Sequence, residues 1–158
     1  MLILITMKIG LVCKGNIFRS QVLEHYLKYK MPALEIFSCG ILLKEDIPEE
    51  KKLLNEIKIE LSKRGIHTNP KRKSWSKEVK EKLKGMDIIL TVTIDIKKFL
   101  IKEINNKKIK TFYEFIEEKE KEFEDPFDYK ERKQNKKKLQ EGFNKLDILS
   151  EMIINKIK

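Results

Sequence analysis

The segment Met7–Ser20, MKIGLVCKGNIFRS, joins a short apolar run to the start of a helix. Met7–Val12 is rich in β-branched and other apolar residues, a pattern typical of a buried strand. Gly15 and Asn16 interrupt that pattern, and apolar residues at helical spacing follow within Arg19–Lys30. The segment therefore predicts a strand, a tight loop and a helix in direct succession.

The same alternation of strand and helix continues along the chain. Further short apolar runs predict three more strands, and apolar residues three and four positions apart predict four more helices. The predicted strands are Leu34–Ser38, Met86–Val92 and Ile109–Tyr113, and the predicted helices run from Pro48 to Gly65, over Ser76–Leu83, over Ile94–Ile104 and over Glu131–Ile157. The segment Ile109–Tyr113, the fourth strand of the chain, could instead join a helix through Ile116. The alternation predicts an α/β fold with an open, mostly parallel four-stranded sheet and helices on both faces.

Length and composition limit the class of protein. The 158 residues predict one domain over residues 1–158, with Met1–Thr6 as a possible extension of its first strand. An apolar share of 41% is enough for a core. No apolar run reaches the length that a membrane span needs, and two cysteines do not make a disulfide-rich secreted scaffold. We therefore expect a cytoplasmic protein without a membrane partner.

The net charge of +10 favours anionic partners. Nearly all of the excess is lysine, because the only arginines are Arg19, Arg64, Arg72 and Arg132. No nucleic-acid recognition motif accompanies the charge, so nucleic acid is not an expected partner. With so few arginines, a well-placed one is more informative than a lysine.

The loop after the first strand carries the chemistry. Cys13 leaves the strand, and Arg19 and Ser20 open the helix. Backbone N–H groups of such a loop and first helical turn can converge on a phosphate dianion, with Gly15 and Asn16 supplying positive φ values. Arg19 can clamp two phosphate oxygens with its planar guanidinium. The same positive field stabilises a Cys13 thiolate, and the Ser20 hydroxyl can donate a hydrogen bond to it. A thiolate in this position is placed for in-line attack on phosphorus.

A phosphate ester also needs an acid for its leaving group, and Asp125-Pro126-Phe127 is the best candidate. Pro126 biases Asp125 away from helical geometry and so projects it from a loop. Phe127 could line a pocket for an aromatic ring.

Cys13–Ser20, C-K-G-N-I-F-R-S, closely resembles the signature of the low-molecular-weight protein tyrosine phosphatases. Asp125–Phe127 resembles the acid loop of that family, and Ser38–Gly40 resembles its Ser-Ala-Gly after strand two. Asp87–Leu90 is similar to its third strand. The resemblance covers essentially the whole chain and implies a phosphotyrosine phosphatase I-like, flavodoxin-like fold.

The resemblance also implies roles for the residues. Cys13 would be the nucleophile, Arg19 the phosphate clamp, and Asp125 the acid and later the base. The other expected site residues shape the loop or bind the substrate: Lys14, Gly15, Asn16, Ile17, Phe18, Ser20, Ser38 and Phe127. No metal or cofactor is expected. The expected partners are a phosphotyrosine-containing protein or a small aryl phosphate, with phosphate or sulfate able to occupy the loop, and the chain is expected to be a monomer or weak dimer.

Two departures from the family pattern concern sulfur chemistry. Phe18 stands where the family usually has a second loop cysteine, so the protective disulfide between neighbouring thiols cannot form. Cys39 replaces the usual alanine and could act as a substitute resolving thiol or simply be a small buried side chain.

Other activities remain open from the sequence. Protein-arginine phosphatases favour threonine at the position of Ile17, so this apolar residue favours phosphotyrosine. Thioredoxin-coupled arsenate reductases need two further cysteines, and no cysteine follows Gly40. A phosphate-binding module without turnover would leave the pair of Cys13 and Asp125 unexplained.

Overall fold

The computed structural model describes residues 7–43, 50–104, 108–119, 127–128, 133–134 and 136–158. Its central sheet has four strands in the order β2-β1-β3-β4, and all neighbouring strands are parallel. The strands are β1 (Lys8–Cys13), β2 (Glu35–Gly40), β3 (Ile88–Thr91) and β4 (Ile109–Thr111). The predicted α/β architecture is confirmed.

Helices follow the strands along the chain. They are α1 (Arg19–Lys30), α2 (Glu50–Lys63), α3 (Lys77–Lys84), α4 (Ile94–Glu103), α5 (Phe112–Phe115) and α6 (Lys136–Ile157). Every residue of β1 after Lys8 is buried, so both faces of this strand are covered. Lys30 forms ion pairs with Asp147 and Glu151 and so joins the end of α1 to α6. Among the described residues, no helix combines the length and the apolar character that crossing a membrane requires.

Several predicted boundaries were wrong. The second strand runs on to Gly40 rather than ending at Ser38, and the third begins at Ile88 rather than Met86. The strand predicted to reach Tyr113 ends at Thr111, because Thr111 and Glu114 form a capping box that starts α5. The helix predicted from Glu131 begins at Lys136 instead. Lys133–Gln134 forms a short antiparallel pair (β6) with Phe127–Asp128 (β5), and that pairing uses backbone groups that a helix would need.

The strand order determines where a ligand can bind. The chain leaves β1 to form β2 on one side of it, and later returns to form β3 on the other side. The carboxyl end of β1 is therefore a topological switch point, where open α/β sheets form a crevice. The loop that starts with Cys13 lies at this point.

Candidate active site

The loop between β1 and α1 wraps around the sulfur of Cys13. The backbone N–H of Asn16 donates to this sulfur at 3.2 Å, and the hydroxyl oxygen of Ser20 lies 2.9 Å from it. Asn16 has a φ of 56°, as predicted, whereas Gly15 does not adopt a positive φ, so that part of the prediction was wrong. One left-handed residue is therefore enough to turn the Asn16 N–H toward the sulfur.

The side chain of Asn16 holds the loop to three other parts of the chain. Its Nδ2 donates to the hydroxyl of Ser20 at 2.8 Å and to that of Ser38 at 2.9 Å. Its Oδ1 accepts from the backbone N–H of Lys73 at 2.8 Å and from Nε2 of Gln21 at 3.3 Å. The amide has two donor hydrogens and two acceptor positions, and all are used. Fully buried and fully bonded, this side chain has one orientation available.

Ser38 connects Asn16 to a buried carboxylate. Its hydroxyl donates to Oε1 of Glu24 at 2.5 Å, and Glu24 is only 4% exposed. Glu24 also pairs with Lys28 at 2.8 Å and with Lys73 at 3.4 Å. Burial alone raises the pKa of this carboxyl, but the lysine charges and hydrogen-bond donors outweigh burial and hold its pKa below the usual value. The carboxylate therefore stays charged and keeps accepting from Ser38.

Gln21 joins the loop to a buried histidine. Its Nε2 donates one hydrogen to the carbonyl of Lys71 at 2.7 Å and shares the other between the carbonyl and Oδ1 of Asn16, at 3.2 and 3.3 Å. This turns its Oε1 toward Nε2 of His25 at 3.1 Å. The hydroxyl of Thr68 lies 3.1 Å from the other ring nitrogen. Because Oε1 can only accept, His25 donates through Nε2. Burial lowers the pKa of His25 and favours this neutral form.

A glycine lets β2 approach the loop closely. A Cβ on Gly40 would lie 2.7 Å from the carbonyl carbon of Gly15, 2.7 Å from the carbonyl oxygen of Lys14 and 2.9 Å from the nitrogen of Asn16. The N–H of Gly40 donates to the carbonyl of Lys73 at 2.9 Å. The backbone at the end of β2 thus forms one wall of the loop, which a larger residue would displace.

The remaining loop side chains differ in exposure. Lys14 is exposed, whereas Arg19, the first residue of α1, is 5% exposed. Ile17 and Phe18 are 2% and 3% exposed, and the Phe18 ring packs edge-on against Phe143 of α6 at 5.1 Å. The side chains of Ile17 and Phe18 are thus part of the packed interior, and the predicted part of these residues in substrate binding stays a prediction.

The predicted acid loop is only partly described. Asp125 and Pro126 lie outside the described residues. Phe127 begins β5, where its backbone pairs with Gln134. The roles of Asp125 and Phe127 therefore stay predictions.

The side chain of Cys39 lies on the face of β2 opposite to that of Ser38. Val12 is paired with Cys39 in the register of β1 and β2, and Cys13 is paired with Gly40. Successive side chains of a strand lie on opposite faces, so Cys39 and Cys13 face opposite sides of the sheet. Burial, with a smaller effect of Cys13, raises the pKa of the Cys39 thiol well above its usual range. These observations favour a small buried side chain over a resolving thiol.

Several residues of this site were not predicted from the sequence. Gln21, Glu24, Arg72 and Lys73 all bond to the loop or to its supporting serine. Gln21 and Glu24 lie in α1 just after the motif, one turn apart on the side that faces the loop. They could have been predicted from this position. Arg72 and Lys73 lie more than fifty positions along the chain, and no local pattern marks them.

Comparisons with known proteins show which family the chain belongs to. The family model described as low molecular weight phosphotyrosine protein phosphatase matches residues 8–157. A low molecular weight protein tyrosine phosphatase from T. tengcongensis is 25% identical, with a TM-score of 0.75 over 96% of this chain and 99% of that chain.

Two more distant structures share the fold. The YwlE arginine phosphatase from Geobacillus stearothermophilus is 20% identical, with a TM-score of 0.73 over 96% of this chain and 92% of that chain. Wzb from Vibrio vulnificus, in complex with benzylphosphonate, is 21% identical, with a TM-score of 0.67 over 92% of this chain and 95% of that chain. A search of curated proteins finds no match. Because the family model spans nearly the whole chain, the chain belongs to the low molecular weight phosphotyrosine protein phosphatases and is a phosphatase.

Proposed function

We propose that this phosphatase hydrolyses phosphotyrosine monoesters through a phosphoryl group carried on the sulfur of Cys13. One observation supports this most strongly. The Cys13 sulfur, at the carboxyl end of β1, accepts from the Asn16 N–H at 3.2 Å and lies 2.9 Å from the Ser20 hydroxyl. Both groups stabilise a thiolate, the form that attacks phosphorus.

In the first step, the Cys13 thiolate forms a bond to phosphorus while the bond from phosphorus to the phenolic oxygen breaks. Asp125 gives its proton to that departing oxygen. The Arg19 guanidinium and the loop N–H groups stabilise the charge on the three other oxygens. The products of this step are a phenol and a phosphorylated cysteine.

In the second step, Asp125, now a carboxylate, takes a proton from water as the water oxygen attacks phosphorus. The sulfur–phosphorus bond breaks, and its electron pair returns to Cys13 as the thiolate. Ser20 and the Asn16 N–H stabilise this leaving group as they stabilised the nucleophile. Inorganic phosphate leaves, and the protonated Asp125 is ready for another turnover.

The residue after Asn16 supports phosphotyrosine as the substrate. Ile17 has no hydroxyl, and its side chain is 2% exposed, so it offers no hydrogen bond to a phosphorylated guanidino group. An aryl phosphate needs no such bond. Benzylphosphonate, the ligand of the Vibrio structure, carries a phenyl ring as the side chain of phosphotyrosine does, and it is a suitable competitive probe.

The test compares a phosphotyrosine peptide with a phosphoarginine peptide of the same sequence, in buffer containing EDTA. We expect faster turnover of phosphotyrosine, and a loss of roughly 10⁴-fold or more in kcat for Cys13→Ser. Cys39→Ala is the matched control, with turnover near that of the wild type. Faster turnover of phosphoarginine would contradict the proposed substrate, and tight phosphate binding without turnover of either peptide would contradict catalysis.

A further inference from the structure

Arg72 lies between α2 and α3 and bonds to the outer side of the catalytic loop. Its Nε donates to the carbonyl oxygen of Gly15 at 2.9 Å. Its terminal nitrogen donates to the carbonyl oxygens of Leu43 at 2.6 Å and Leu42 at 3.4 Å, in the segment that follows β2. The guanidinium therefore joins the loop to a second segment by donating to backbone carbonyls of both.

The bond to Gly15 matters because of peptide geometry. The Gly15 carbonyl and the Asn16 N–H belong to one planar trans peptide unit, in which C=O and N–H point in opposite directions. Arg72 holds the oxygen outward, and the N–H of the same unit points inward to the Cys13 sulfur at 3.2 Å. A cation on the oxygen also polarises the unit and makes its N–H a stronger donor.

The neighbours of Arg72 fix it in place. The carbonyl of Lys71 accepts from Gln21 at 2.7 Å, and the N–H of Lys73 donates to the side chain of Asn16 at 2.8 Å. The backbone on both sides of Arg72 is thus tied to the network that holds the loop. The guanidinium can direct the peptide unit because its own backbone is anchored.

We propose that Arg72 is a positioning residue, which holds the Gly15–Asn16 peptide so that its N–H supports the Cys13 thiolate. Its role is distinct from that of Arg19, since Arg72 bonds to the carbonyl side of the loop. The proposal rests on the proposed role of Cys13 as the nucleophile.

The test uses Arg72→Ala and Arg72→Lys, with Lys77→Ala as a control that removes one exposed positive charge nearby. Four quantities are measured: kcat and KM for p-nitrophenyl phosphate, the pH dependence of Cys13 alkylation by iodoacetamide, and the thermal midpoint. We expect kcat to fall about tenfold in Arg72→Ala, the size of effect typical of losing a hydrogen bond to a charged group. The alkylation profile should move to higher pH, since the thiolate loses support.

Arg72→Lys keeps the charge but not the planar fork, so we expect a smaller shift in the same direction. The proposal is overturned if both Arg72 variants match Lys77→Ala in kcat and alkylation profile, or if they lose activity only in proportion to unfolded protein. The alkylation profile separates this proposal from the proposed function. If the wild type hydrolyses no aryl phosphate, the proposed function fails, while a shifted profile still supports the positioning role.

Discussion

At the scale of single residues, the site depends on how closely backbones and side chains approach one loop. The eight contiguous residues Cys13–Ser20 correctly predicted the loop between strand and helix and the left-handed Asn16, because that information is local. The supporting contacts from Arg72 and Lys73 could not be predicted. They are brought to the loop by the packing of the segment between α2 and α3, which no short pattern encodes.

Gly40→Ala should reduce both activity and stability. The added methyl group would meet backbone atoms of residues 14–16 at 2.7–2.9 Å, so the loop itself must move. We expect the free energy of unfolding to fall by about 1–3 kcal/mol, as for overpacked cores, together with a clear fall in kcat. Urea unfolding and aryl phosphate assays check this.

Gly85→Ala is the matched control, because its added methyl would meet nothing closer than 3.5 Å. If Gly40→Ala were as active and as stable as Gly85→Ala, the close packing of β2 on the loop would not matter.

At the scale of elements, the start of α1 is packed against α6. A Cβ on Gly142 of α6 would lie 2.4 Å from Cε1 of Phe18, so the ring at this loop position requires a glycine opposite it. The sequence showed that Phe18 replaces the family cysteine. It could not show what accommodates the ring, since Gly142 is 124 residues away and looks like an ordinary helix-weakening glycine.

A double-mutant cycle tests this pairing. Gly142→Ala alone should cost about 1–3 kcal/mol in unfolding free energy through the clash with Phe18. In the Phe18→Ala background, the same change should instead stabilise by up to about 1 kcal/mol, because alanine favours the helix over glycine. Denaturant unfolding of the four proteins measures the coupling. Equal effects of Gly142→Ala in both backgrounds would exclude the contact.

The register of β1 and β2 leads to a prediction about oxidation. Hydrogen peroxide should inactivate the protein at Cys13 without forming a disulfide to Cys39, because the two side chains face opposite sides of the sheet. Peptide mapping under non-reducing conditions checks this. Cys39→Ala should show the same rate of inactivation and the same recovery with thiol, whereas a peptide linking Cys13 to Cys39 would show that the strand ends rearrange.

At the scale of the whole molecule, strand order creates the site. The alternation of strands and helices in the sequence correctly predicted an open parallel sheet. The order β2-β1-β3-β4 places the carboxyl end of β1 at the switch point. Two of the wrong boundaries have a clear cause: at the end of β4 helix capping, and at the start of α6 strand pairing, prevailed over apolar periodicity. The buried polar network across α1, β2 and the segment before α3 then ties global stability to the loop.

Stability should therefore depend on the protonation of His25. Burial lowers the pKa of His25 below its ordinary value of 6.5, so folding favours the neutral ring. The neutral ring contributes its full stabilisation of the folded state above about pH 6.5. This contribution is lost as the pH falls toward the lower pKa that His25 has in the folded state. The unfolding free energy of the wild type relative to His25→Gln should accordingly decrease from pH 7.5 to pH 5.

His67→Gln is the control, because the chain's other histidine is exposed. This variant keeps His25, so the loss of stability that His25 causes at low pH should remain in it. A wild-type advantage over His25→Gln that does not change with pH would contradict the neutral buried ring.

The most direct measurement is rapid-quench mass spectrometry of the protein during turnover of an aryl phosphate. We expect one phosphoryl group on the peptide that contains Cys13, appearing before the steady state. In Cys13→Ser, both this group and turnover should be absent. Steady hydrolysis with an unmodified Cys13 peptide, or hydrolysis that persists in Cys13→Ser, would contradict the proposed mechanism.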